Sequence, residues 1–331
     1  MKMKTKKTMA FLLCLMLAVG VFAGCTSTAK TEDKSGGMTA MIVAIPQGDP
    51  FLQIAYSGVK KFAEETGKEA KIIEALDKSE YAEQVRAMSE EGANPIYVVW
   101  DDLAQAAFEI APEFPDTKYI VVDSYATSDL PNVMTIVVEP QIGAFVAGVI
   151  AARTTQTKNV AWVGNFDIPV VNRARYGFEA GVAYADPTVK VESIYIGDSS
   201  DTNKGAELTK QLIDQGADVI MQTANQAGLG VIRACEEKKV KAIGFDEWQG
   251  SINPDVVFWS VLKDTAGATY SAGISATSAA FVSGVTIFGL DKGAVIYDQR
   301  DYDKLSAELK KEVDDVVAKI TSGEIVVPNQ G

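Results

Sequence analysis

The sequence predicts an α/β protein built as two doubly wound lobes. From Met41 onward, short runs rich in Val and Ile alternate with helix-length amphipathic stretches. Runs that are apolar throughout belong to parallel strands covered by helices on both faces. There are too many of them for one ordinary small sheet, and the pattern breaks near Glu139-Pro140. Two lobes of about 130–150 residues each satisfy both observations.

In the first half, strands are expected at Met41–Pro46, Ala70–Ala75, Ile96–Trp100, Lys118–Asp123 and Val133–Val138. The second half offers Val160–Gly164, Val189–Ile196, Asp218–Gln222, Ala242–Asp246 and Val257–Leu262. β-Branched residues dominate these runs, which is what a pleated, covered surface favours. Between them, Ile54–Thr66, Tyr81–Glu91, Gly143–Arg153 and Lys204–Gln215 have the length and period of helices. Ser79 is placed to cap the second of these, and Gly216 to end the fourth. Gly and Ala recur within Gly143–Arg153 and Thr265–Gly284, the composition of helices that pack closely. A last helix is expected at Tyr302–Ile320, ending at Ser322-Gly323 before a short strand, Glu324–Val327.

Ahead of the lobes, Lys2, Lys4, Lys6 and Lys7 precede an apolar run from Met9 to Phe22, closed by Ala23-Gly24-Cys25. A basic start, a short apolar stretch and small residues describe a secretory signal, too short for a stable membrane span. Cys directly after Ala-Gly resembles a bacterial lipobox, in which Cys25 is cleaved free and acylated. Residues 1–24 are therefore expected to be removed, and residues 25–37 to form a lipidated Cys and a flexible polar stalk. The mature protein is expected on the extracytoplasmic face of the cell membrane, held there by lipid.

The net charge of −13 becomes −17 once a leader with four Lys and no acidic residue is gone. Such a surface disfavours nucleic acid, which is bound by Lys and Arg neutralising phosphates. It equally disfavours polybasic attachment to anionic lipid. Of three Cys, Cys14 and Cys25 fall in the leader and anchor, so no disulfide within the lobes is available. Cys235, in Ile232-Arg233-Ala234-Cys235, reads as a buried helical thiol. There is no His at all, which removes His-containing triads, His metal sites and the commonest general base. The expectation is a protein without catalytic residues, metal or cofactor.

Ligands of open α/β sheets sit beyond the carboxyl ends of the strands. Those ends carry Asp49, Phe51, Trp100 and Asp123 in the first lobe, and Phe166, Asn225, Asp246 and Trp248 in the second, with Lys263 just after the last strand. Aromatic rings can cover a sugar or a base, carboxylates accept paired hydrogen bonds from vicinal hydroxyls, and amides read polar edges. Each such residue has an ordinary structural use too: Asp and Asn at strand ends cap the following helix, and aromatics close the core. Gly228-Leu229-Gly230 lacks the third glycine of a dinucleotide fingerprint. Asp198 to Asn203 lacks the central Gly and terminal Glu of a calcium loop and reads as a surface loop with a helix cap.

Gly164-Asn165-Phe166-Asp167-Ile168-Pro169-Val170-Val171-Asn172-Arg173, followed by Tyr176-Gly177-Phe178-Glu179-Ala180-Gly181, resembles the signature of the basic membrane protein family. Further matches are Ala147-Gly148, Ala242-Ile243-Gly244-Phe245-Asp246, Ser260-Val261-Leu262-Lys263 and Ile320-Thr321-Ser322-Gly323-Glu324-Ile325. These are lipoprotein substrate-binding components of ABC importers, and several bind purine nucleosides. The resemblance implies a type I periplasmic-binding-protein fold, with a hinge and an interlobe ligand cleft. Lobe 1 would span 38–138, completed by about 263–292, and lobe 2 would span 139–262, completed by 293–331.

The resemblance also implies that Asp246 and Lys263 hold ribose hydroxyls, that Asp123 lines the cleft and that Phe51 lies against the base. Other positions depart. The first loop reads Gly48-Asp49-Pro50-Phe51-Leu52, with the acid shifted by one and the family's amide replaced by Leu52. A Phe common three residues before the Gly of Gly177-Phe178-Glu179-Ala180-Gly181 is Ala174 here. Trp100, Phe166 and Trp248 are the aromatics available to take that role.

Together these readings predict a monomeric, lipid-anchored receptor that captures a nucleoside by lobe closure and delivers it to an ABC permease. Asp49-Pro50-Phe51 also resembles the Asn-Pro-Phe loop of sugar-binding proteins of this fold, so a sugar or other polyhydroxylated solute is the alternative. A receptor of this kind could also serve a membrane signalling partner as a sensor. A hydrolase using Asp49, Asp101 and Asp123 is the reading from another class.

Overall fold

The computed structural model describes residues 37–329; the expected leader, Cys25 and nearly all of the stalk lie outside them. The strands are β1 (Met38–Val43), β2 (Glu69–Glu74), β3 (Ala93–Val99), β4 (Tyr119–Val122), β5 (Val133–Val138), β6 (Asn159–Gly164), β7 (Lys190–Tyr195), β8 (Val219–Thr223), β9 (Lys241–Gly244), β10 (Val257–Ser260) and β11 (Gly284–Phe288). They form a six-stranded sheet ordered β11-β5-β4-β3-β1-β2 and a five-stranded sheet ordered β10-β9-β8-β6-β7. Every pairing within the two sheets is parallel. Strand order reverses between β1 and β3 in the first sheet and between β6 and β8 in the second. Those are the crevices where such sheets bind ligands.

The covering helices are α1 (Pro50–Thr66), α2 (Tyr81–Glu90), α3 (Trp100–Ile110), α4 (Pro140–Thr154), α5 (Pro169–Ala185), α6 (Thr202–Asp214), α7 (Gly228–Lys238), α8 (Thr265–Ala276), α9 (Gln299–Tyr302) and α10 (Ala307–Thr321). α1 starts where Asp49 accepts hydrogen bonds from the backbone N–H of Phe51 and Leu52, with Pro50 in its first turn. It stops at Gly67, whose φ of 70° suits a left-handed cap. α4 is buried on nearly all sides and runs against α5. A Cβ at Gly148 would stand 2.2 Å from the carbonyl oxygen of Phe178, so these backbones approach as closely as glycine permits. The Gly- and Ala-rich segments thus do what their composition predicts, although α8 ends at Ala276 and Gly284 opens a strand.

The chain passes between the sheets three times. It leaves β5 for α4 through Glu139, leaves β10 for α8 through residues 261–264, and leaves β11 for α9 through residues 289–298. The last two crossings pair with each other: Val261 bridges Tyr297 in antiparallel fashion, and Leu262 N–H donates to the Ile296 carbonyl at 3.1 Å. α8 packs on α1 beneath the first sheet, while α10 packs on α4 beneath the second.

Local differences from the expected elements have physical reasons. The strand β11 was not expected, because its run Gly-Val-Thr-Ile-Phe is short and continues a Ser/Gly/Ala-rich stretch; pairing with β5 makes it a strand. Residues 324–327 form no strand; Val327 is instead buried in the second core. The last helix is two, α9 and α10, with Ser306 capping the second through Leu309 N–H. Asp77, not Ser79, caps the turn leading into α2. Gly216 follows α6 with φ 106°, and Asp201 caps that helix at its start, as expected of the Asp-rich loop. Cys235 is fully buried in α7, and burial pushes its thiol up to about 12.

Candidate ligand-binding site

Helices α1 and α3 begin on either side of the first switch point, so Phe51 and Trp100 are brought face to face. Their rings stack with centroids 5.5 Å apart and planes 19° apart. Phe51 is buried, Trp100 half-buried. At the second switch point, Asn165 donates through Nδ2 to Asn225 Oδ1 at 3.2 Å. The turn that begins at Asn225 approaches α1 of the opposite lobe.

The ionic part of the site is more tightly built. Lys263 Nζ donates to Asp123 Oδ2 at 2.7 Å, with the two side chains only 6% and 4% exposed. The same ammonium stands 5.0 Å from the centroid of Phe51. Lys263 N–H donates to the Asp246 carbonyl at 3.1 Å, which ties the second crossing to the end of β9. The Asp246 carboxylate itself makes no hydrogen bond among the described residues. Burial pushes its pKa up to about 6; Lys263 opposes that, while Asp123, Asp49 and Glu247 add to it.

Four candidate residues share an unusual backbone. Trp100, Asp123, Asn225 and Asp246 have φ of 66°, 58°, 49° and 69°, the left-handed region that side chains disfavour. Trp100 and Asp123 directly follow a strand, and Asn225 and Asp246 lie two residues beyond one. Strain of this kind persists where surrounding structure holds it, and it gathers at ligand sites.

The other positions are placed differently. Asp49 is the cap of α1, so its carboxylate is engaged by backbone N–H groups, although its charge reaches Asp246. Phe166 is 40% exposed and is not part of the Phe51–Trp100 stack. Trp248 belongs to a cavity of about 400 Å³ that it shares with Asp246, Lys263, Leu262, Ile54 and Arg300. Leu52 is buried in the first core and Ala174 in the second, so neither departure from the family pattern faces a ligand. Sequence reasoning missed Ile54 and Arg300, which sit inside helices and carry no strand-end signal. It also missed Tyr125 and Arg173, whose guanidinium lies 3.6 Å from the tyrosine ring centroid across the two lobes.

Residues 38–331 match the family described as ABC transporter substrate-binding protein PnrA-like, Bmp. The chain belongs to the Bmp family. Among its relatives, Basic membrane protein A of Borreliella burgdorferi is 30% identical over 325 residues, 96% of this chain and 95% of that protein. A solute-binding protein of an ABC transporter system from Aeropyrum pernix K1 superposes with a TM-score of 0.75 at 22% identity, over 88% of this chain and 94% of its own. A transcriptional activator of the comK gene from Bacillus halodurans does so with 0.76 at 17% identity, over 87% and 99%. At such identities the two structures speak for the fold alone: a periplasmic-binding-protein-like pair of parallel-sheet lobes. This Bmp chain is an ABC transporter substrate-binding protein, and no helix among its described residues is long and apolar enough to cross a membrane.

Proposed function

We propose that the chain captures a nucleoside, or a ligand bearing a similar ribose, between its lobes and delivers it to an ABC import permease. Lipid on Cys25 would hold it at the extracytoplasmic face of the membrane. The observation that carries the ligand is the half-buried Asp246, whose carboxylate makes no hydrogen bond among the described residues beside the Lys263–Asp123 pair. Two vicinal hydroxyls can donate to one carboxylate while an ammonium donates to their oxygens, and a ribose offers that arrangement. The Phe51–Trp100 pair supplies apolar faces beside it. Closing the lobes removes water from these bonds and strengthens them.

A sugar is the second reading, favoured by one feature. Leu52 lies in the core, and the amides of Asn165 and Asn225 bond each other, so few polar groups are left to read a base edge. The hydrolase reading loses support because its three carboxylates are all engaged. Asp49 caps α1, Asp101 accepts the Ser124 hydroxyl, and Asp123 holds Lys263. Calorimetry of ligand-stripped protein against nucleosides, free bases and sugars tests the proposal. Nucleoside binding with no response to the free base is expected; binding of sugars alone moves the reading to its alternative, and no binding by either ends it.

A further inference from the structure

The turn after β9, which carries Asp246, is braced from both sides. Toward the sheet, Gln249 Oε1 accepts from Gln222 Nε2 at 2.8 Å, and Gln249 N–H donates to Ser260 Oγ at 3.2 Å. On the other side stands α9, one turn of helix directly after the third crossing. Its Asp301 is fully buried and accepts the Trp248 indole N–H on Oδ1 at 3.2 Å. Lys304 Nζ reaches the same oxygen at 3.2 Å, while Oδ2 has no partner. Arg300 lies 3.5 Å from the indole centroid, its guanidinium fixed by Asp298 through bonds of 2.7 and 2.8 Å. A Cβ at Gly250 would come within 2.7 Å of the indole nitrogen, so the turn closes tightly behind the ring.

A fully buried carboxylate costs more than an apolar residue would unless it is paired and hydrogen-bonded, and Asp301 Oδ1 takes its bonds from the indole and Lys304. That indole lies two residues beyond Asp246, in the same cavity wall. We propose that Arg300 and Asp301 are positioning residues for Asp246, clamping Trp248 so that the turn keeps the left-handed shape that presents the Asp246 carboxylate to the cleft. The inference rests on the reading of Asp246 as a ligand-binding group. It adds a route by which the third crossing, which must change as the lobes open, controls that group.

The charged groups acting on Asp246 are Lys263 on the second crossing, Asp123 at the end of β4, Asp49 at the start of α1 and Glu247 in its own turn, and Asp264, Asp298 and Arg300 line the same cavity. Trp248→Phe changes no charge, and Asp301→Ala and Asp301→Asn remove the same one, so the titration of Asp246 in the first and the difference between the other two report the clamp. The experiment is 13Cγ NMR titration of ligand-free protein with labelled Asp, with Asp246 assigned through Asp246→Asn. Wild type should titrate near the raised value. Trp248→Phe and Asp301→Ala should bring the midpoint at least one pH unit lower as water enters the turn, and Asp301→Asn, which keeps an acceptor for the indole, should restore it. Arg300→Gln, at an exposed residue that leaves the core intact, removes a cation from the same cavity, which by charge alone would raise the midpoint; a lower midpoint there therefore reports loosening of the clamp. Lower melting temperatures with an unmoved midpoint in Trp248→Phe and Arg300→Gln would overturn the clamp. Inosine titration by calorimetry separates the two readings. A midpoint that moves in a protein indifferent to inosine keeps the clamp and removes the nucleoside; inosine binding with an unmoved midpoint does the reverse.

Discussion

The two walls of the cleft solve the same problem differently. On the first lobe, Asp123 is paired with Lys263 and the two rings cover each other, so little there needs a ligand. On the second lobe, Asp246 is half-buried without a hydrogen bond among the described residues, and only the charge of Lys263 offsets its desolvation. A wall that is already satisfied can hold a shape in the open receptor. A wall that is not satisfied gains most from the ligand, and this asymmetry favours binding that draws the second lobe closed.

The strongest way to break the contrast is to remove the shared cation. Lys263→Ala leaves Asp123 as a buried carboxylate without its cation, and Asp246 without the charge that offsets its desolvation. It should destabilise the protein by about 3–5 kcal/mol, seen in denaturant unfolding, and reduce ligand affinity beyond detection. An affinity within threefold of wild type would mean that the ionic cluster lies outside the ligand site.

Asp246→Asn should do the opposite to the ligand-free protein. The carboxyl titrates at about 6 against an ordinary 3.8, so its contribution to stability is full below the ordinary value and is lost as pH rises through 6. Replacing it should therefore stabilise the protein at neutral pH by up to about 2–3 kcal/mol. The gain should vanish near pH 4 in thermal melts recorded across that range. Ligand affinity should meanwhile fall by about tenfold or more, since one hydrogen-bond acceptor is lost.

The same carboxylate gives wild type a pH dependence. Ligand hydroxyls donate to the ionised form, so affinity should be level above neutrality and fall about tenfold per unit once pH drops below 6. Calorimetry between pH 5 and 8 checks this; a flat profile would place the ligand elsewhere. The smallest effect belongs to the rim. Arg173→Gln removes the stacked contact with Tyr125 across the lobes, worth about 0.5–1 kcal/mol at an exposed site. It should speed ligand release a fewfold in stopped-flow measurements without altering the melt.

The differences in legibility follow from where each signal is written. That Asp123, Asp246 and Lys263 are neighbours could be expected in advance, because strand ends are legible and topology gathers them at one crevice. Asp49 shows the limit of that rule: an Asp at a strand end is equally a helix cap, and only the geometry at Phe51 N–H decides. The clamp by Arg300 and Asp301 had no signal at all, since a polar residue in a helix looks the same whether it faces water or an indole.

The sequence by itself determined the α/β class, the break between lobes and the apolar runs of the strands, because these depend on local periodicity and composition. It also determined the absence of His chemistry. Tertiary structure alone decided that Lys263 spends its charge on Asp123, that Asp246 keeps an unbonded carboxylate, and that β11 joins the first sheet from far along the chain. Those outcomes depend on which distant residues share one low-dielectric space, and neither spacing nor composition encodes that.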